Sequence, residues 1–504
     1  MLFMQESNMI FSKIKLVIFL LAPIFTISII ISQPLNASYT ANAMLGVALW
    51  MAIWWATEKV PLSITALLPV IMFPILGIMD GKDVSSTYYN HIIFLFIGGF
   101  MLALGMQYWK LHKRIALKIL MLTGTSPSKI LLGFMFATAF LSMWISNTAT
   151  TMMMLPILLS VIMSLEEMFD KKAIQKYSVA LLIGTAYSSS IGGVATLIGT
   201  PPNPIFVRIY AINFPKAAEI SFSQWMIFAL PVSIIMFFLV FTLLYFVFIV
   251  KQNKIWGNKP SPVDFKVEYN KLGKASYEEK WMLVLFISAA LLWMTRSSLE
   301  IGNFSFKGWA SFFPWPKYFN DGTVAMFIGI LLFLIPSKNV KGEKLLNWIK
   351  MRDLPWNIIV LFGGGFALAQ GFKSSGLSEY IGESLEAFTH IHPLLLIFFV
   401  TGIMVFLTEF TSNSASTTLL LPILASLAIS AHIHPLLLMV PTTIAASMAF
   451  MLPVATPPNA IVFSSKRLHI KDMMFVGFFV NLIAIIVITL LSYYLLPLVF
   501  SVNQ

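Results

Sequence analysis

Long runs of apolar residues, separated by short polar connections, extend along almost the whole chain. A helix needs about 20 predominantly apolar residues to cross a bilayer, and several of these runs reach or exceed that length. The pattern therefore predicts an all-α integral membrane protein with about eleven transmembrane helices. The predicted spans are residues 15–31, 41–56, 62–79, 130–165, 178–199, 228–250, 281–294, 323–335, 393–427, 435–452 and 473–500.

Two of these spans, 130–165 and 393–427, are too long to cross a bilayer once as single helices. Each contains a cluster of Ser, Thr and Asn, whose side chains compete with the hydrogen bonds of the helix backbone. We therefore predict breaks in these helices, at residues 142–151 and 411–417.

The two polar clusters are copies of one another. Ser146-Asn147-Thr148 recurs 266 residues later as Ser412-Asn413-Ser414, and the same offset superposes the glycine-rich stretches around Gly98 and Gly364. A second element, Thr200-Pro201-Pro202-Asn203, recurs at an offset of 256 as Thr456-Pro457-Pro458-Asn459. The chain is therefore predicted to contain a duplicated unit. The predicted organisation is N-terminal helices (1–80), a first repeat (81–250), a basic linker (251–280) and a second repeat (281–504).

Composition supports the membrane assignment, because 58% of the residues are hydrophobic and only 11% are charged. The net charge of +12 comes from Lys and Arg in the connections between spans, which argues against a nucleic-acid-binding role. By the positive-inside rule, the linkers 251–280 and 338–352 are cytoplasmic, the stretch 302–320 is external and the N-terminus is cytoplasmic. Residues 109–120 are predicted to lie as a basic helix in the cytoplasmic interface. The chain has no cysteine, which excludes disulfides and thiolate metal sites.

Paired interruptions in two halves of a hydrophobic chain indicate the binding site of a transporter, since irregular backbone at membrane depth survives where it lines a cavity. The motifs supply hydroxyl and amide groups and backbone carbonyls without helical hydrogen bonds, which suit a hard cation such as Na⁺. Ser142, Ser146, Asn147 and the carbonyl of Gly199 could supply one such set. The proline pairs are expected to stop the preceding helix and leave its carbonyls free.

Two other classes of protein are less consistent with the pattern. A membrane enzyme could use Ser146 or Ser412 as a nucleophile and the Gly363–Gly365 backbone as an oxyanion hole, but neither serine has a histidine or lysine base near it in sequence. A channel is disfavoured because paired broken helices serve alternating access.

The paired motifs, Ser-Asn-Thr with Gly-Thr-Pro-Pro-Asn and Thr-Ser-Asn-Ser with Ala-Thr-Pro-Pro-Asn, resemble the divalent anion:sodium symporter family. The resemblance covers most of the chain. It implies a homodimer in the bacterial inner membrane, with a fixed scaffold and a transport domain that moves like an elevator. It also implies that the glycine-rich stretches near Gly98 and Gly364 belong to two re-entrant hairpins of inverted topology.

The resemblance further implies roles for individual residues. The first Na⁺ site would use Ser142, Ser146, Asn147 and Gly199, and the second would use Thr408, Thr411, Asn413 and Ala455. The substrate would lie between the triplets, in contact with Ser146, Asn147, Thr148, Ser412, Asn413 and Ser414, with Thr200, Pro201, Thr456 and Pro457 beside them. Many bacterial relatives have Thr at the position of Ser414, so substrate preference is expected to differ.

The expected activity is Na⁺-coupled import of small divalent anions, and C4-dicarboxylates such as succinate, malate and fumarate are favoured because neither motif contains Arg or Lys. Citrate or sulfate as the main substrate, and a Na⁺-independent dicarboxylate exchanger, remain alternatives. Glu409 is the acid beside a motif. It could couple transport to protons, but a hydrogen-bonding role that holds the broken helix is favoured, with Lys373 as a candidate partner.

Overall fold

The computed structural model describes residues 17, 19–169, 171–250, 264–301, 304–385 and 391–500. Within these ranges the architecture is helical, as predicted. The exception is a short antiparallel ribbon, β1 (Leu299–Ile301) and β2 (Phe304–Phe306), in which Leu299 lies opposite Phe306. Part of the predicted basic linker, residues 251–263, lies outside the described residues, as do residues 1–16 at the N-terminus.

The first half of the chain forms twelve labelled helices among the described residues. They are α1 (Phe19–Ser32), α2 (Tyr39–Thr57), α3 (Leu62–Thr65), α4 (Leu68–Ile75), α5 (Gly81–Thr87), α6 (His91–Tyr108), α7 (Leu111–Thr123), α8 (Pro127–Ser142), α9 (Asn147–Met168), α10 (Lys171–Gly193), α11 (Pro202–Asn213) and α12 (Phe222–Leu244), which a π-helical turn (Tyr245–Ile249) extends.

The second half of the chain is also helical among the described residues. Its helices are α13 (Phe265–Lys271), α14 (Tyr277–Met294), α15 (Asp321–Leu334), α16 (Trp356–Ser374), α17 (Leu377–Ser384), α18 (Pro393–Leu407), α19 (Asn413–Ser430), α20 (Leu436–Ala445), α21 (Pro457–Phe463), α22 (Ile470–Tyr494) and α23 (Leu496–Phe500). Three short 3₁₀ turns, Trp309–Phe312, Pro316–Tyr318 and Trp348–Asp353, lie in the connections.

Side chains just before the helices set where several of them begin. Ser221 and Gln224 form a reciprocal capping box at the start of α12, and Ser276 and Glu279 form another at α14. Each box satisfies backbone N–H groups that have no partner within the helix. These polar caps fix the helix ends in a chain whose helix interiors are apolar.

Five stretches of the described chain are long and apolar enough to cross a membrane. They are Gly81–Tyr108, Asn147–Met168, Phe222–Ile249, Asn413–Ser430 and Ile470–Tyr494. The pair α16 and α17, bent by 72° at a short break, would make a sixth. Six shorter apolar helices of 10–17 residues accompany them, so the expected total of eleven spans stays a prediction.

The two predicted helix breaks are present. The first occupies residues 143–146, between α8 and α9, and the second occupies residues 408–412, between α18 and α19. The first break is narrower than predicted and the second begins earlier. In both, the Asn, Thr and Ser residues of the motif form the first turn of the following helix. Ser, Thr and Asn favour such helix starts over helix interiors.

The glycine-rich stretches are packing positions. α6 runs as a continuous helix through Gly98 and packs along α15, where a Cβ on Gly98 would collide with the backbone of Ala325. α16 is likewise continuous through Gly364, where a Cβ would meet the backbone of Ala66. The glycines therefore allow close helix contact and do not form hairpin turns. Of the two implied hairpins, the described feature that fits a broken or re-entrant span is the bent pair α16 and α17.

The basic helix predicted at residues 109–120 is present as α7, but Arg114 does not lie on an exposed basic face. Its guanidinium forms a two-pronged ion pair with Glu279 of α14, with N···O distances of 2.8 and 3.0 Å, and both side chains are buried. Burying a cation requires such a partner. Arg114 therefore joins α7 to α14, and its charge is not available to a membrane surface.

Candidate functional site

The first break brings four oxygen atoms of three residues together. Ser142, the last residue of α8, donates from Oγ to Asn147 Oδ1 at 2.5 Å. Its Oγ also lies 3.1 Å from Ser189 Oγ of α10, and Ser189 in turn donates to the Asn147 carbonyl at 3.0 Å. Ser146 caps α9 by accepting from the N–H of Ala149. Hydroxyl, amide and carbonyl oxygens therefore converge where the helix is interrupted.

The second break uses the same device. Thr408 donates from Oγ1 towards Asn413 Oδ1 at 2.7 Å and towards the Ala446 carbonyl at 2.9 Å. A hydroxyl has one proton and both of these partners only accept, so three oxygens share one hydrogen here. The hydroxyl and the asparagine are five residues apart in both breaks. Thr411 instead bonds the Leu407 carbonyl and lies 2.5 Å from Ser416 Oγ.

Beside each break lies an unwound segment between two helices. The first runs from the end of α10 at Gly193 to the start of α11 at Pro202, and the second runs from the end of α20 at Ala445 to the start of α21 at Pro457. The prolines thus begin the following helices and do not end the preceding ones, contrary to the prediction from sequence. The first turn of a helix tolerates proline because its N–H would have no partner there.

The asparagine of each Thr-Pro-Pro-Asn element holds its unwound segment. Asn203 Nδ2 donates to the carbonyls of Thr196 at 2.7 Å and Gly193 at 3.4 Å. Asn459 Nδ2 donates to the carbonyls of Leu452 and Ala449, both at 3.1 Å. Both asparagines are fully buried. Neither was among the candidate site residues, although their recurrence in the two copies of the element was visible in the sequence.

The two halves interlock around the breaks. α11, which follows the first proline element, packs against α19, which begins at the second triplet, and α21 correspondingly packs against α9. Thr200 Oγ1 of the first unwound segment lies 3.4 Å from Ser447 Oγ of the second. The structure therefore brings both triplets and both proline elements into one region.

The predicted residues differ in how accessible they are. Most of the helix-start residues of the triplets are half-buried, namely Ser146, Asn147, Thr148, Ser412 and Asn413, as are Thr411 and Pro201. Ser142, Gly199, Thr200, Thr408, Ser414, Ala455 and Thr456 are buried, and Pro457 is exposed. Ser146 also lines a shallow open recess, whose other walls are Phe96, Gly99, Phe100, Trp144 and Ile198.

Glu409 stabilises the second unwound segment. Its Oε1 accepts from the N–H groups of Phe450 (2.7 Å) and Met451 (2.9 Å), and its Oε2 accepts from the N–H of Leu452 (3.0 Å). Asn481 of α22 also donates to Oε1, at 2.8 Å. Lys373 is not its partner, because the Lys373 ammonium donates to the Ile212 carbonyl at 2.8 Å. Residue 143, the equivalent position in the first half, is a methionine.

The atoms that could coordinate an ion at the two breaks are thus mainly neutral oxygens. Among the residues that the structure describes, no three His, Cys, Asp or Glu side chains form a cluster that could hold a metal ion. A set of hydroxyl, amide and carbonyl oxygens fits a weakly held hard cation better than a transition metal.

Solved structures with a related fold are transport proteins. The chain of Neisseria gonorrhoeae MtrF, described as illuminating a class of antimetabolite efflux pumps, matches with a TM-score of 0.54 at 14% identity, over 91% of this chain and 95% of that one. The Alcanivorax borkumensis YdaH transporter matches with a TM-score of 0.51 at 12% identity, over 89% and 98%. At these identities the likeness concerns the fold alone.

Similarity in sequence is much stronger to two staphylococcal proteins, both named sodium-dependent dicarboxylate transporter SdcS. The protein of Staphylococcus saprophyticus subsp. saprophyticus is 43% identical over 505 residues, covering 99% of this chain and 95% of its own. That of Staphylococcus aureus (strain MRSA252) is 42% identical over 499 residues, covering 98% and 93%.

A family model, described as the sodium:sulfate symporter transmembrane region, matches residues 12–501, nearly the whole chain. The family is one of symporters, so a catalytic role for Ser146 or Ser412 finds no support. The resemblance carried by the paired motifs is confirmed, and the chain belongs to the sodium:sulfate symporter family.

Proposed function

We propose that this protein is a Na⁺-coupled symporter that imports C4-dicarboxylates such as succinate, malate and fumarate. The observation that carries the proposal is the repeated oxygen pair, Ser142 with Asn147 and Thr408 with Asn413, at the two helix breaks. The names of the staphylococcal relatives, which are sodium-dependent dicarboxylate transporters, support both the ion and the substrate class.

Na⁺ would bind at each break. The first ion would be held by Ser142, Ser146, Asn147 and the carbonyl of Gly199, and the second by Thr408, Thr411, Asn413 and the carbonyl of Ala455. The hydroxyl of Ser142 or Thr408 can turn its proton away and offer a lone pair, because hydroxyl hydrogens rotate to suit their partners. The cation would then contact the asparagine Oδ1 in place of the hydroxyl hydrogen.

The substrate would lie between the starts of α9 and α19. A helix N-terminus carries partial positive charge and N–H groups without intrahelical partners, so it suits a carboxylate. Two such termini, at Asn147 and Asn413, suit an anion with a carboxylate at each end. The contacting residues would be Ser146, Asn147, Thr148, Ser412, Asn413 and Ser414, with Thr200, Pro201, Thr456 and Pro457 beside them.

The motifs contain no Arg or Lys, so bound Na⁺ would offset most of the substrate charge. This makes binding of ion and substrate mutually dependent, which is the thermodynamic requirement for coupled transport. We place the protein in the bacterial inner membrane as a homodimer with a cytoplasmic N-terminus, working by an elevator movement of the site. These features rest on the family resemblance and the charge distribution.

The test is uptake of radiolabelled succinate by proteoliposomes that contain the purified protein, under an inward Na⁺ gradient and in a matched choline control. Concentrative uptake that requires Na⁺ is expected, with unlabelled malate and fumarate competing better than citrate or sulfate. Uptake that ignores Na⁺ but requires dicarboxylate inside the vesicles would instead identify an exchanger. Better competition by citrate or sulfate would reassign the substrate.

A further inference from the structure

An exposed aromatic loop connects α14 to α15. Residues 311–318 are all exposed, and Phe312, Trp315 and Tyr318 show 78%, 62% and 78% of their surface. We call Ser311–Tyr318 the aromatic loop. A patch of large, exposed apolar side chains marks a site that contacts another protein or a membrane, since the water-exposed surfaces of proteins rarely carry such patches.

The aromatic loop is an organised structure. Two short 3₁₀ turns, Trp309–Phe312 and Pro316–Tyr318, shape it. Within and beside it, the rings of Phe313 and Phe319 pack at 4.8 Å between centroids, and Trp315 stacks on Tyr318 at 6.3 Å. The outer rings are therefore held outward by packing among their neighbours.

A buried ion network fixes the aromatic loop to the helices. Arg296 donates to Asp321 Oδ1 at 2.6 Å, to the Phe319 carbonyl at 2.7 Å and to Glu219 at 3.1 Å. Asp321 Oδ2 also accepts from the N–H of Phe222, the first residue of α12, at 2.8 Å. The base of the loop is therefore joined to the ends of α12, α14 and α15.

The flanking helices show at what depth the aromatic loop lies. α14 exposes Val284, Ile287 and Leu291 in one stripe, and α15 exposes a similar stripe of Phe327, Ile330 and Leu334. In a membrane protein such stripes face lipid chains or another membrane-embedded helix, and both place them within the bilayer. The apolar part of α14 follows Glu278, Glu279 and Lys280 and runs from Trp281 to Met294, 14 residues or about 21 Å, so it covers most of the hydrocarbon core and ends beside the loop. The loop at its end then falls in the layer where headgroups begin.

The chemistry of the aromatic loop fits that layer. Trp and Tyr rings concentrate at membrane interfaces, where one part of the ring is apolar and another can bond water. Lys307 and Lys317 flank or lie in the loop, and the sequence from Ile301 to Asn320 contains no Asp or Glu. Two lysines in a stretch of 20 residues without acidic side chains favour anionic headgroups.

We propose that the aromatic loop is an anchor that inserts its rings into the interfacial layer of the bilayer, with anionic phospholipid headgroups held near Lys307 and Lys317. Because α14 and α15 both pack against α6, the anchor fixes the depth of this helix group in the membrane. The proposal depends on membrane insertion and not on the transported substrate or ion, so it stands or falls separately from the proposed transport function.

The cysteine-free chain allows a direct test. Phe312→Cys and, with all rings kept, Ser311→Cys are each labelled with an environment-sensitive nitrobenzoxadiazole dye in proteoliposomes. Lipids that carry a nitroxide near the headgroup should quench both labels, and lipids that carry it deep in the acyl chain should not. Lys216→Cys, on the exposed loop at the same end, is the control and should be quenched only by an aqueous reagent.

Quenching of the loop labels by the aqueous reagent alone would overturn the proposal, and so would disulfide cross-linking of Phe312→Cys between two copies of the chain. The headgroup preference is tested with nitroxides attached to phosphatidylglycerol or to phosphatidylcholine headgroups at equal mole fraction. The anionic probe should quench more, and a double variant, Lys307→Gln with Lys317→Gln, should lose that difference. Equal quenching in the unsubstituted loop would overturn the headgroup preference.

Discussion

Asn203 and Asn459, 256 residues apart in the chain, bind their unwound segments in the same way. Each donates from Nδ2 to the carbonyls seven and ten residues before it. Two unrelated loops would not share such bonds, so the duplicated sequence has kept a duplicated geometry. The two asparagines fix the backbone whose carbonyls are proposed to bind Na⁺.

We expect Asn203→Asp to reduce stability and Na⁺ binding together. Aspartate cannot donate, so the carbonyls of Gly193 and Thr196 lose their bonds and face a negative charge, at a cost of about 1–3 kcal/mol. The measurement is the thermal unfolding midpoint with and without Na⁺. Asn213→Asp is the control, because the Asn213 amide donates to the Ile209 carbonyl of its own helix, away from the unwound segment. An unchanged Na⁺-dependent shift in Asn203→Asp would contradict the role assigned to this residue.

Asn147→Ala and Asn413→Ala should each abolish transport, since each asparagine is proposed to touch both ion and substrate. A loss of about a hundredfold or more in uptake is expected, equivalent to about 3 kcal/mol. Expression and oligomeric state should stay nearly unchanged. Ser164→Ala serves as the control, because the Ser164 hydroxyl bonds the Ser160 carbonyl on the surface of α9. Wild-type transport by either asparagine variant would show that the site is wrongly placed.

Removing the paired hydroxyls should weaken Na⁺ binding more than substrate binding. Ser142→Ala and Thr408→Val each take one oxygen from a proposed cation site, at a cost of about 1–2 kcal/mol, or roughly a tenfold rise in the Na⁺ concentration for half-maximal uptake. The KM for succinate at saturating Na⁺ should change little. Thr489→Val, a buried change in α22, controls for the loss of a threonine hydroxyl. A rise in succinate KM alone would remove these hydroxyls from the cation sites.

Glu409→Gln separates a hydrogen-bonding role from proton coupling. The carboxylate accepts four hydrogen bonds, and an amide would point N–H groups at backbone N–H donors. The variant should therefore unfold at lower temperature, and its effect should not add to that of Asn481→Ala, because the two residues share a bond. Proton movement during uptake, followed with a pH-sensitive dye, should be absent in the wild type. Proton uptake that Glu409→Gln abolishes without loss of stability would favour proton coupling.

The helix breaks were predictable because their cause is local. Ser146-Asn147-Thr148 and its copy carry side chains that favour helix starts, and duplication made the signal specific. The sequence predicted that Glu409 has a hydrogen-bonding role, but it did not identify the groups that bond to it. Its donors, Phe450 to Leu452 and Asn481, lie 41 to 72 residues away, so the partner inferred from sequence, Lys373, was wrong.

The prolines and glycines were misassigned for a related reason. A sequence shows that Pro201 and Pro202 interrupt a helix pattern, but either side of the interruption is compatible with proline chemistry. The unwound segment is instead fixed by Asn203 and by tertiary contacts such as the bond from Trp225 Nε1 to the Val194 carbonyl at 3.0 Å. Gly98 and Gly364 were assigned to hairpins on the family resemblance, and their packing partners, Ala325 and Ala66, cannot be read from local sequence.

The central claim is that Na⁺ and a C4-dicarboxylate move together through the site between the two breaks. It is tested most directly by following ²²Na⁺ and [¹⁴C]succinate in the same proteoliposomes. We predict that each accelerates entry of the other, at a fixed ratio of ions to substrate, and that Asn147→Ala abolishes both fluxes. Succinate entry that carries no Na⁺ with it would contradict the claim.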